Sequence, residues 1–302
     1  MLAVTPSGAG DDIRINGDAL CTEPDRLPAS RARRRSALEG WRAARGAEGR
    51  FLLRLEDIDQ ARCRGEYAVA ILEDLAWLGL NWDGPVRKQS KHFPDYRRAL
   101  NRLETMAVIY PCFCTRREIR DEIARAGGAP HALSGPPYPG TCRSLDPRRR
   151  AEKLRAGVDY ALRLDLARAL SLTGPLDWIE EEGDGPHRQL ADPVPLGDIV
   201  IARKGMPTSY HLAVTVDDAI QGVTLVTRGE DLATATHVHR VLQALLDLPT
   251  PRYRHHELVT DAAGRRLSKR DRALTIRAMR TSGIGPAEIF DLAFGIAPSL
   301  PA

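Results

Sequence analysis

The sequence predicts an α/β fold with a mainly parallel sheet, because short apolar runs alternate with amphipathic helical segments. The run FLLRL at 51–55 is typical of a buried strand, and an acidic turn follows it directly. Between 111 and 142 this pattern gives way to three cysteines and a loop rich in glycine and proline. We therefore expect a single α/β domain that carries a cysteine-bearing insertion at 111–142.

Apolar spacing predicts the elements on either side of that insertion. A period near 3.6 residues predicts one helix over 67–78, ended by Gly79, and a second helix over 96–103. The other expected elements are strands at 160–164 and 198–202, a helix at 238–246, and a segment at 210–216 whose spacing fits a helix or a strand.

The bulk composition is that of an ordinary globular protein, with 43% hydrophobic and 28% charged residues in 302. No apolar run is long enough to span a bilayer and no signal-peptide pattern opens the chain, so we expect a cytoplasmic protein. A net charge of +4 permits a nucleic-acid partner without arguing for one.

Cysteine spacing suggests metal chemistry rather than disulfides. The chain has five cysteines, an odd number, and Cys112 and Cys114 are too close in sequence for an ordinary disulfide scaffold. Together with Cys142 they offer three thiolates, one ligand short of tetrahedral zinc. The alternative is that these cysteines are small core residues, which is the interpretation we give to Cys63.

Three further patterns could bind charged groups. The loop RRLSKR at 265–270 follows a glycine, and its lysine could offset charge on a leaving pyrophosphate, although its residues alone favour a solvated basic turn. Glu56 ends the 51–55 strand, where open α/β sheets bind ligands, although Asp57 or Asp59 could instead cap a helix there. The histidines at 255–256 lack the HExxH spacing, so we treat them as structural.

These motifs, taken in order, resemble the glutamyl branch of the class I aminoacyl-tRNA synthetases from about Trp41 to Gly295. RLSKR is similar to the lysine loop of that family, FLLRLEDID to its RIEDxD segment, and residues 209–232 match its pattern almost throughout. The resemblance implies a Rossmann-type sheet and an enzyme that activates glutamate with ATP, which Mg²⁺ accompanies.

The resemblance also implies roles for individual residues. The ATP-binding residues would be Leu267, Ser268 and Lys269, with Lys269 and Ser268 stabilising the transition state of adenylation. The glutamate-binding residues would be Glu56 at the amino group, Tyr210 lining the pocket and Arg228 paired with the side-chain carboxylate. An arginine fork matches a carboxylate in geometry, although an isolated arginine is more often part of a surface salt bridge.

Within this family the sequence is most similar to the glutamyl-Q branch, which has a zinc site of the same shape with tyrosine as the fourth ligand. Tyr138 falls at the matching position, so the implied zinc ligands are Cys112, Cys114, Tyr138 and Cys142. His131 is the conventional alternative, because imidazole binds zinc better than a neutral phenol does.

The partner that this branch implies is tRNA(Asp) carrying queuosine in its anticodon loop. Glutamyl-tRNA synthetases continue into a helical anticodon-binding domain, whereas only a few dozen residues follow the lysine loop here. We expect a monomer that passes glutamate to queuosine. The alternatives are a short glutamyl-tRNA synthetase that charges the tRNA 3′ end, and an inactive paralogue that only binds tRNA or amino acid.

The family's HIGH-type motif is missing from residues 1–35, which end in an arginine cluster. Codons for residues 19–33, read from the second base, can encode RFAPSPTGYLHLGHA, which is the family's first strand followed by that motif. We therefore divide the chain into an out-of-frame or disordered segment at 1–35 and a catalytic domain at 36–302. The residues as displayed are expected to lack the first sheet strand and the ATP-binding start of the following helix.

Overall fold

The structure is a computed structural model that describes residues 14–20, 29–115, 117–119, 138–183, 185–203, 205–257 and 276–294. The strands are β1 Arg14–Leu20, β2 Arg50–Glu56, β3 Arg87–Lys88, β4 Ile109–Cys112, β5 Ala161–Leu164, β6 Asp177–Glu182, β7 Gly185–Leu190, β8 Val200–Arg203, β9 Leu225–Gly229 and β10 Arg252–His256. The helices are α1 Ala29–Gly46, α2 Gly65–Trp77, α3 Phe93–Thr105, α4 Pro147–Arg155, α5 Leu166–Thr173, α6 Tyr210–Gln221, α7 Ala233–Leu246, α8 Ile276–Thr281 and α9 Pro286–Phe294.

The larger sheet is mainly parallel, as the sequence predicts. Its seven strands lie in the order β3-β2-β1-β9-β10-β6-β7, and only the β6–β7 hairpin pairs antiparallel. Six of the seven residues of β2 are buried, which matches the unbroken apolar run at 51–55. A parallel strand covered on both faces requires such a run.

A second, antiparallel sheet contains the strands on either side of the cysteine segment. It has the order β4-β5-β8, and Cys112 at the end of β4 is paired with Ala161 of β5. The strands expected at 160–164 and 198–202 are therefore confirmed as β5 and β8, and both lie in this smaller sheet.

The helix expected over 67–78 is confirmed as α2, and Gly79 adopts a positive φ of 76° just after its end. α3 and α7 confirm the other two expected helices. The ambiguous segment at 210–216 is helical in α6. Its N-cap Ser209 accepts a hydrogen bond from the Leu212 backbone N–H, and Gly222 ends it in the left-handed conformation.

The largest hydrophobic core lies where α3, α6 and α7 pack together and against the antiparallel sheet. Its fully buried members include Tyr96, Leu100, Leu212, Val241 and Leu242. α6 and α7 also bear polar side chains that face the larger sheet. The packing of this core therefore fixes where those side chains lie in the candidate site. Among the described residues, no helix is both long enough and apolar enough to cross a membrane.

One expectation about the start of the chain is wrong. Residues 14–20 do form a sheet strand, β1, which lies between β2 and β9 and pairs parallel with both. The position between two strands offers hydrogen-bond partners on both sides, and Ile15 is fully buried there. The helix that follows, α1, begins at Ala29 within the segment expected to be aberrant.

Candidate functional site

Strand register places two arginines level with each other on one face of the larger sheet. Asn16 of β1 is paired with both Leu52 of β2 and Val226 of β9. Arg54 and Arg228 lie two residues further along their strands, so they share that face. One strand lies between theirs, which separates the two backbones by roughly 10 Å. Glu56, two residues beyond Arg54, faces the same side at the carboxyl end of β2.

Arg228 is almost fully buried, and its guanidinium is held on three sides. Its Nε donates to His255 Nε2 at 3.2 Å. One terminal nitrogen donates to the Tyr210 hydroxyl at 3.4 Å and to His239 Nδ1 at 3.2 Å. The other terminal nitrogen donates to the hydroxyl of Thr236. The predicted glutamate-binding residues Tyr210 and Arg228 are thus in direct contact, and the fork has a fixed orientation.

The histidines around Arg228 keep this pocket from gaining further positive charge. Burial, followed by the nearby Arg228 charge, lowers the pKa of His211 to about 4. The same two causes place the pKa of His239 well below its ordinary value. Both imidazoles are therefore neutral near pH 7, and His239 accepts from Arg228 while its other ring nitrogen lies 3.1 Å from His211 Nδ1.

His255 is oriented by a buried carboxylate. Its Nδ1 lies 2.8 Å from Glu180 Oε1, and its backbone N–H donates to the same oxygen at 2.9 Å. Trp178 Nε1 donates to the other Glu180 oxygen at 2.9 Å. Burial raises the pKa of Glu180, but the hydrogen bonds from His255 and Trp178 outweigh it and lower the pKa overall. Glu180 thus holds the His255 ring with Nε2 toward Arg228, so the sequence interpretation of His255 as structural missed its contact with the site.

Glu56 is buried where β2 ends, next to Arg54, with 3.7 Å between Glu56 Oε1 and an Arg54 terminal nitrogen. Asp57, the alternative acidic residue, has another role. It accepts from the Ser90 backbone N–H at 2.7 Å and from the Ser90 hydroxyl at 2.6 Å, and so fixes the turn at 89–91. α2 begins after Arg64, so Asp57 does not cap it.

Sequence reasoning missed a buried ionic network beneath this pocket. Arg54 donates to Asp218 Oδ1 at 2.8 Å. The neighbouring Asp217 accepts from Arg87 Nε at 2.7 Å, and from Tyr96 and Gln89 at 2.8 and 2.9 Å. The available signal was an acidic doublet inside the apolar helix at 210–221, because buried carboxylates require partners.

A cleft of about 610 Å³ connects Tyr210 with the cysteine segment. Its wall includes Asp59 after β2, His211 on α6 and Asp231 after β9. Tyr138 lines the same cleft, so the candidate zinc ligand and the candidate glutamate pocket face one cavity.

The cysteine cluster brings the predicted zinc ligands together. The sulfurs of Cys112, Cys114 and Cys142 all lie within 4.8 Å of one another. The Tyr138 hydroxyl lies 3.4 Å from Cys114 Sγ and accepts from the Cys142 backbone N–H at 2.8 Å. Three thiols and a phenol at this spacing match the ligand number and spread of a tetrahedral site. His131, the alternative ligand, lies outside the described residues.

Hydrogen bonds give the sulfurs different acidities. Burial raises the pKa of Cys114 to about 12. Burial also raises the pKa of Cys142, but hydrogen bonds from Tyr138 and from the Phe113 backbone N–H more than offset it and lower the pKa. The thiolate form is therefore favoured at Cys142 relative to Cys114.

The predicted ATP-binding residues Leu267, Ser268 and Lys269 fall between 258 and 275, outside the described part of the chain. Their roles stay predictions. The described strands and helices contain the residues predicted to bind glutamate, Glu56, Tyr210 and Arg228.

A family model described as the catalytic domain of class I tRNA synthetases (E and Q) matches residues 33–294. The chain belongs to this family. Both the Arg228 pocket and the cysteine cluster of this synthetase lie within the matched residues, whereas β1 precedes them. The prediction of an aminoacyl-tRNA synthetase is confirmed.

Two curated relatives of this synthetase are both named glutamyl-Q tRNA(Asp) synthetase. The chain is 47% identical to the glutamyl-Q tRNA(Asp) synthetase of Rhodobacter capsulatus over 82% of its length and 88% of the relative's. It is 41% identical to the glutamyl-Q tRNA(Asp) synthetase of Nitratidesulfovibrio vulgaris over 82% of its length and 76% of the relative's.

A crystal structure of glutamate-tRNA synthetase from Elizabethkingia anophelis has the same fold, with a TM-score of 0.71 and 25% identity. The match covers 86% of this chain and 53% of that one, so this synthetase spans about half the length of the solved protein.

Proposed function

We propose that this synthetase activates glutamate with ATP and transfers it to the queuosine base in the anticodon loop of tRNA(Asp). The observation that carries the glutamate specificity is the Arg228 fork, buried among neutral histidines on the same sheet face as Glu56. A substrate with a cation at one end and a carboxylate at the other fits between them. The names and coverage of the two curated relatives support the queuosine acceptor.

Glu56 and Arg228 give the substrate a direction. Glu56 accepts hydrogen bonds from the amino group, and Arg228 pairs with the side-chain carboxylate; their two strands have backbones roughly 10 Å apart, and both side chains extend from the same face. The positive charge of Arg228 favours the carboxylate of glutamate over the neutral amide of glutamine, and an arginine N–H can donate to a carboxylate oxygen but not to an amide nitrogen. The α-carboxylate is left as the reacting group.

The reaction has two steps. An oxygen of the α-carboxylate attacks the α-phosphorus of ATP, the bond to the β-phosphate breaks, and glutamyl-adenylate and pyrophosphate form. A queuosine hydroxyl then attacks the carbonyl carbon, loses its proton, and releases AMP. Lys269 and Ser268 stabilise the charge that develops as pyrophosphate leaves, so catalysis is positioning and electrostatics. Mg²⁺ supplies charge neutralisation on the phosphates.

The cysteine cluster holds one structural zinc through Cys112, Cys114, Cys142 and Tyr138. The spread of the three sulfurs and the adjacent phenol support this ligand set. Such an ion would join the end of β4 to the segment at 138–142, and so fix the wall of the cleft that faces Tyr210.

Residues before about Ser36 are the product of a shifted reading frame. The family match begins at Arg33, close to Ser36, from about where the displayed frame is family-like, and this supports a single inserted or deleted base between Arg33 and Ser36. The shifted codons at 19–33 encode the first strand and the HIGH-type motif. β1 takes the place of that strand without the motif that follows it. The cytoplasmic location and the monomeric state stay predictions.

Glutamate-dependent exchange of pyrophosphate into ATP tests the first step. We expect exchange without any tRNA from a protein whose N-terminal HIGH-type segment is intact, because the residues proposed to bind glutamate all belong to one chain. A strict tRNA requirement would contradict this. No exchange by the frame-restored protein, with measurable tRNA binding, would favour the inactive paralogue.

Transfer to tRNA(Asp) with and without queuosine tests the second step. Labelled glutamate should appear only on queuosine-containing tRNA, and the label should persist after the tRNA 3′ end is removed. Labelling of queuosine-free tRNA at its 3′ end would instead favour a short glutamyl-tRNA synthetase, the function of the solved protein that shares this fold.

A further inference from the structure

Three exposed apolar side chains gather at one groove outside the glutamate pocket. Leu154, Val158 and Tyr160 are 42%, 39% and 36% exposed, and are three of nine large apolar side chains that are exposed in the described part of the chain. All three line one cavity of about 500 Å³, between the end of α4 and the start of β5. This volume lies within the range of pockets that hold small organic groups, about 300–1,000 Å³.

Basic residues line one wall of this groove and are frequent in the helix that ends at it. The sequence of α4, PRRRAEKLR, has five basic residues and one acidic residue, and none of its residues is buried. Exposed Arg97 of α3 and exposed Arg203 of β8 line the opposite wall. A groove with an apolar floor and a basic rim is complementary to a polyanion that has flat apolar groups.

Tyr160 links the groove to the cysteine cluster through an aromatic pair. Its ring packs edge-to-face on Phe113 with 5.8 Å between centroids. The ammonium group of Lys153 lies 5.6 Å from the Phe113 centroid on the far side of that pair. Phe113 is fixed between two cysteines, and its backbone N–H donates to Cys142 Sγ at 3.3 Å. The Tyr160 ring is therefore held in place while more than a third of it stays accessible for stacking.

The groove continues toward the glutamate pocket. Arg203 lines both this cavity and the larger cleft that contains Tyr210. A chain lying in the groove would therefore reach the cleft where the activated glutamate is held.

We infer that this groove binds the unpaired nucleotides next to the acceptor base of an RNA loop. One base stacks on Tyr160 against Leu154 and Val158, and the phosphates lie along Arg97 and Arg203. Stacking requires bases that are out of a duplex, which is the condition of an anticodon loop. The identity of the RNA as tRNA(Asp) rests on the proposed function, whereas single-stranded loop binding does not.

Affinity for a labelled anticodon stem-loop of tRNA(Asp) tests the inference with matched variants. Tyr160→Ala should weaken binding roughly tenfold or more, the effect of one lost base stack, whereas Tyr160→Phe keeps the ring and the affinity. Arg97→Ala and Arg203→Ala should each reduce the slope of log affinity against log salt by about 0.7. Arg188→Ala, an exposed arginine on β7 that lines neither cavity, is the control and should change nothing.

Three results would overturn the inference. The first is wild-type affinity in both Tyr160→Ala and Arg97→Ala. The second is equal binding of a fully paired RNA of the same length. The third is displacement of the stem-loop by polyglutamate at equal charge, because the groove would then recognise acidic polypeptides. If Tyr160→Ala unfolds, the two arginine variants decide the question.

Failure of the proposed function gives a different result. Absence of glutamate-dependent exchange in the frame-restored chain, together with loss of stem-loop affinity in the groove variants, would leave the groove as an RNA site and reject the glutamyl transfer. Normal glutamate-dependent exchange in Tyr160→Ala and Arg97→Ala, together with loss of stem-loop affinity, supports both the RNA groove and the proposed glutamyl transfer.

Discussion

Arg54 on β2 donates a hydrogen bond of 2.8 Å to Asp218 on α6, across 164 residues of chain. Both side chains are buried, so this ion pair joins the larger sheet to the helix that begins at Tyr210. It thereby fixes how far the strand that carries Glu56 lies from the helix that carries Tyr210, and these two elements form the sides of the proposed glutamate pocket.

Breaking this pair should destabilise the fold strongly. We expect Asp218→Asn and Arg54→Met each to lower the free energy of unfolding by roughly 3–5 kcal/mol, because each leaves a buried charge without its partner. Urea denaturation measures the change. Arg188→Ala removes an exposed partner of Asp177 and should cost less than about 1 kcal/mol. Similar losses of unfolding free energy at the two sites would show that burial does not determine how much the Arg54–Asp218 pair contributes to stability.

Substitution of Arg228 should change the KM for glutamate, whereas substitution of Lys269 should change the rate of adenylate formation. Arg228→Ala should raise the KM for glutamate roughly ten- to hundredfold, since it removes charge-assisted hydrogen bonds. Arg228→Lys, which keeps the charge without the fork, should fall between this variant and wild type. Lys269→Ala should slow adenylate formation with little change in glutamate binding. Pyrophosphate exchange at varied glutamate separates the two effects, and a shared profile would contradict the assigned roles.

Acid should destabilise the protein through His211. Its pKa is about 4 in the fold against 6.5 ordinarily, so between these values the unfolded chain binds more protons. The stability is present above pH 6.5 and is lost as pH falls toward 4. The loss is at most about 3 kcal/mol at 1.36 kcal/mol per pKa unit. Denaturation midpoints across this range should fall less steeply for His211→Asn than for wild type or for a control at exposed His187. Identical profiles would exclude His211 as the source.

Metal analysis of the purified protein should give about one zinc per chain. Cys142→Ser should lose the zinc, whereas Cys63→Ser should retain it. Cys63 is the matched control, since its sulfur faces the Glu56 backbone carbonyl at 3.9 Å rather than the cluster. Full zinc occupancy in Cys142→Ser would remove this residue from the ligand set.

Replacing residues 19–33 by RFAPSPTGYLHLGHA should raise glutamate-dependent exchange well above that of the displayed chain. The substitution adds the segment that holds ATP phosphates at a helix start. The DNA sequence is the independent check, because an alternate frame that does not encode HLGH opposite residues 29–32 would end the proposal.

The sequence predicts best those strands and helices whose own residues form a clear hydrophobic pattern within a short stretch of chain. The apolar run at 51–55 and the helical repeats at 67–78 and 96–103 each carry enough residues to identify their type. The sequence does not identify β9 or β10, because each has only five residues, too few for a periodicity that separates a strand from a helix or loop.

The site was predictable only through motifs, and its surroundings were not. Arg228 and Tyr210 are 18 positions apart in sequence, and no spacing rule places His255 on the other side of that guanidinium. The Asp217–Asp218 doublet was visible, but its partners Arg54 and Arg87 are more than a hundred positions away. Such pairs follow from strand order, which a single sequence does not specify.

The position of β1 in the larger sheet has a consequence for biosynthesis. This strand is synthesised long before one of its neighbours, β9, which begins at Leu225. One side of β1 therefore stays without its native partner until about two hundred further residues have been made. During that interval its open edge, next to the apolar β2, is a surface for wrong pairing with other nascent chains. Slow translation of the middle of the gene should thus increase aggregation, and a chaperone that covers this edge should suppress it.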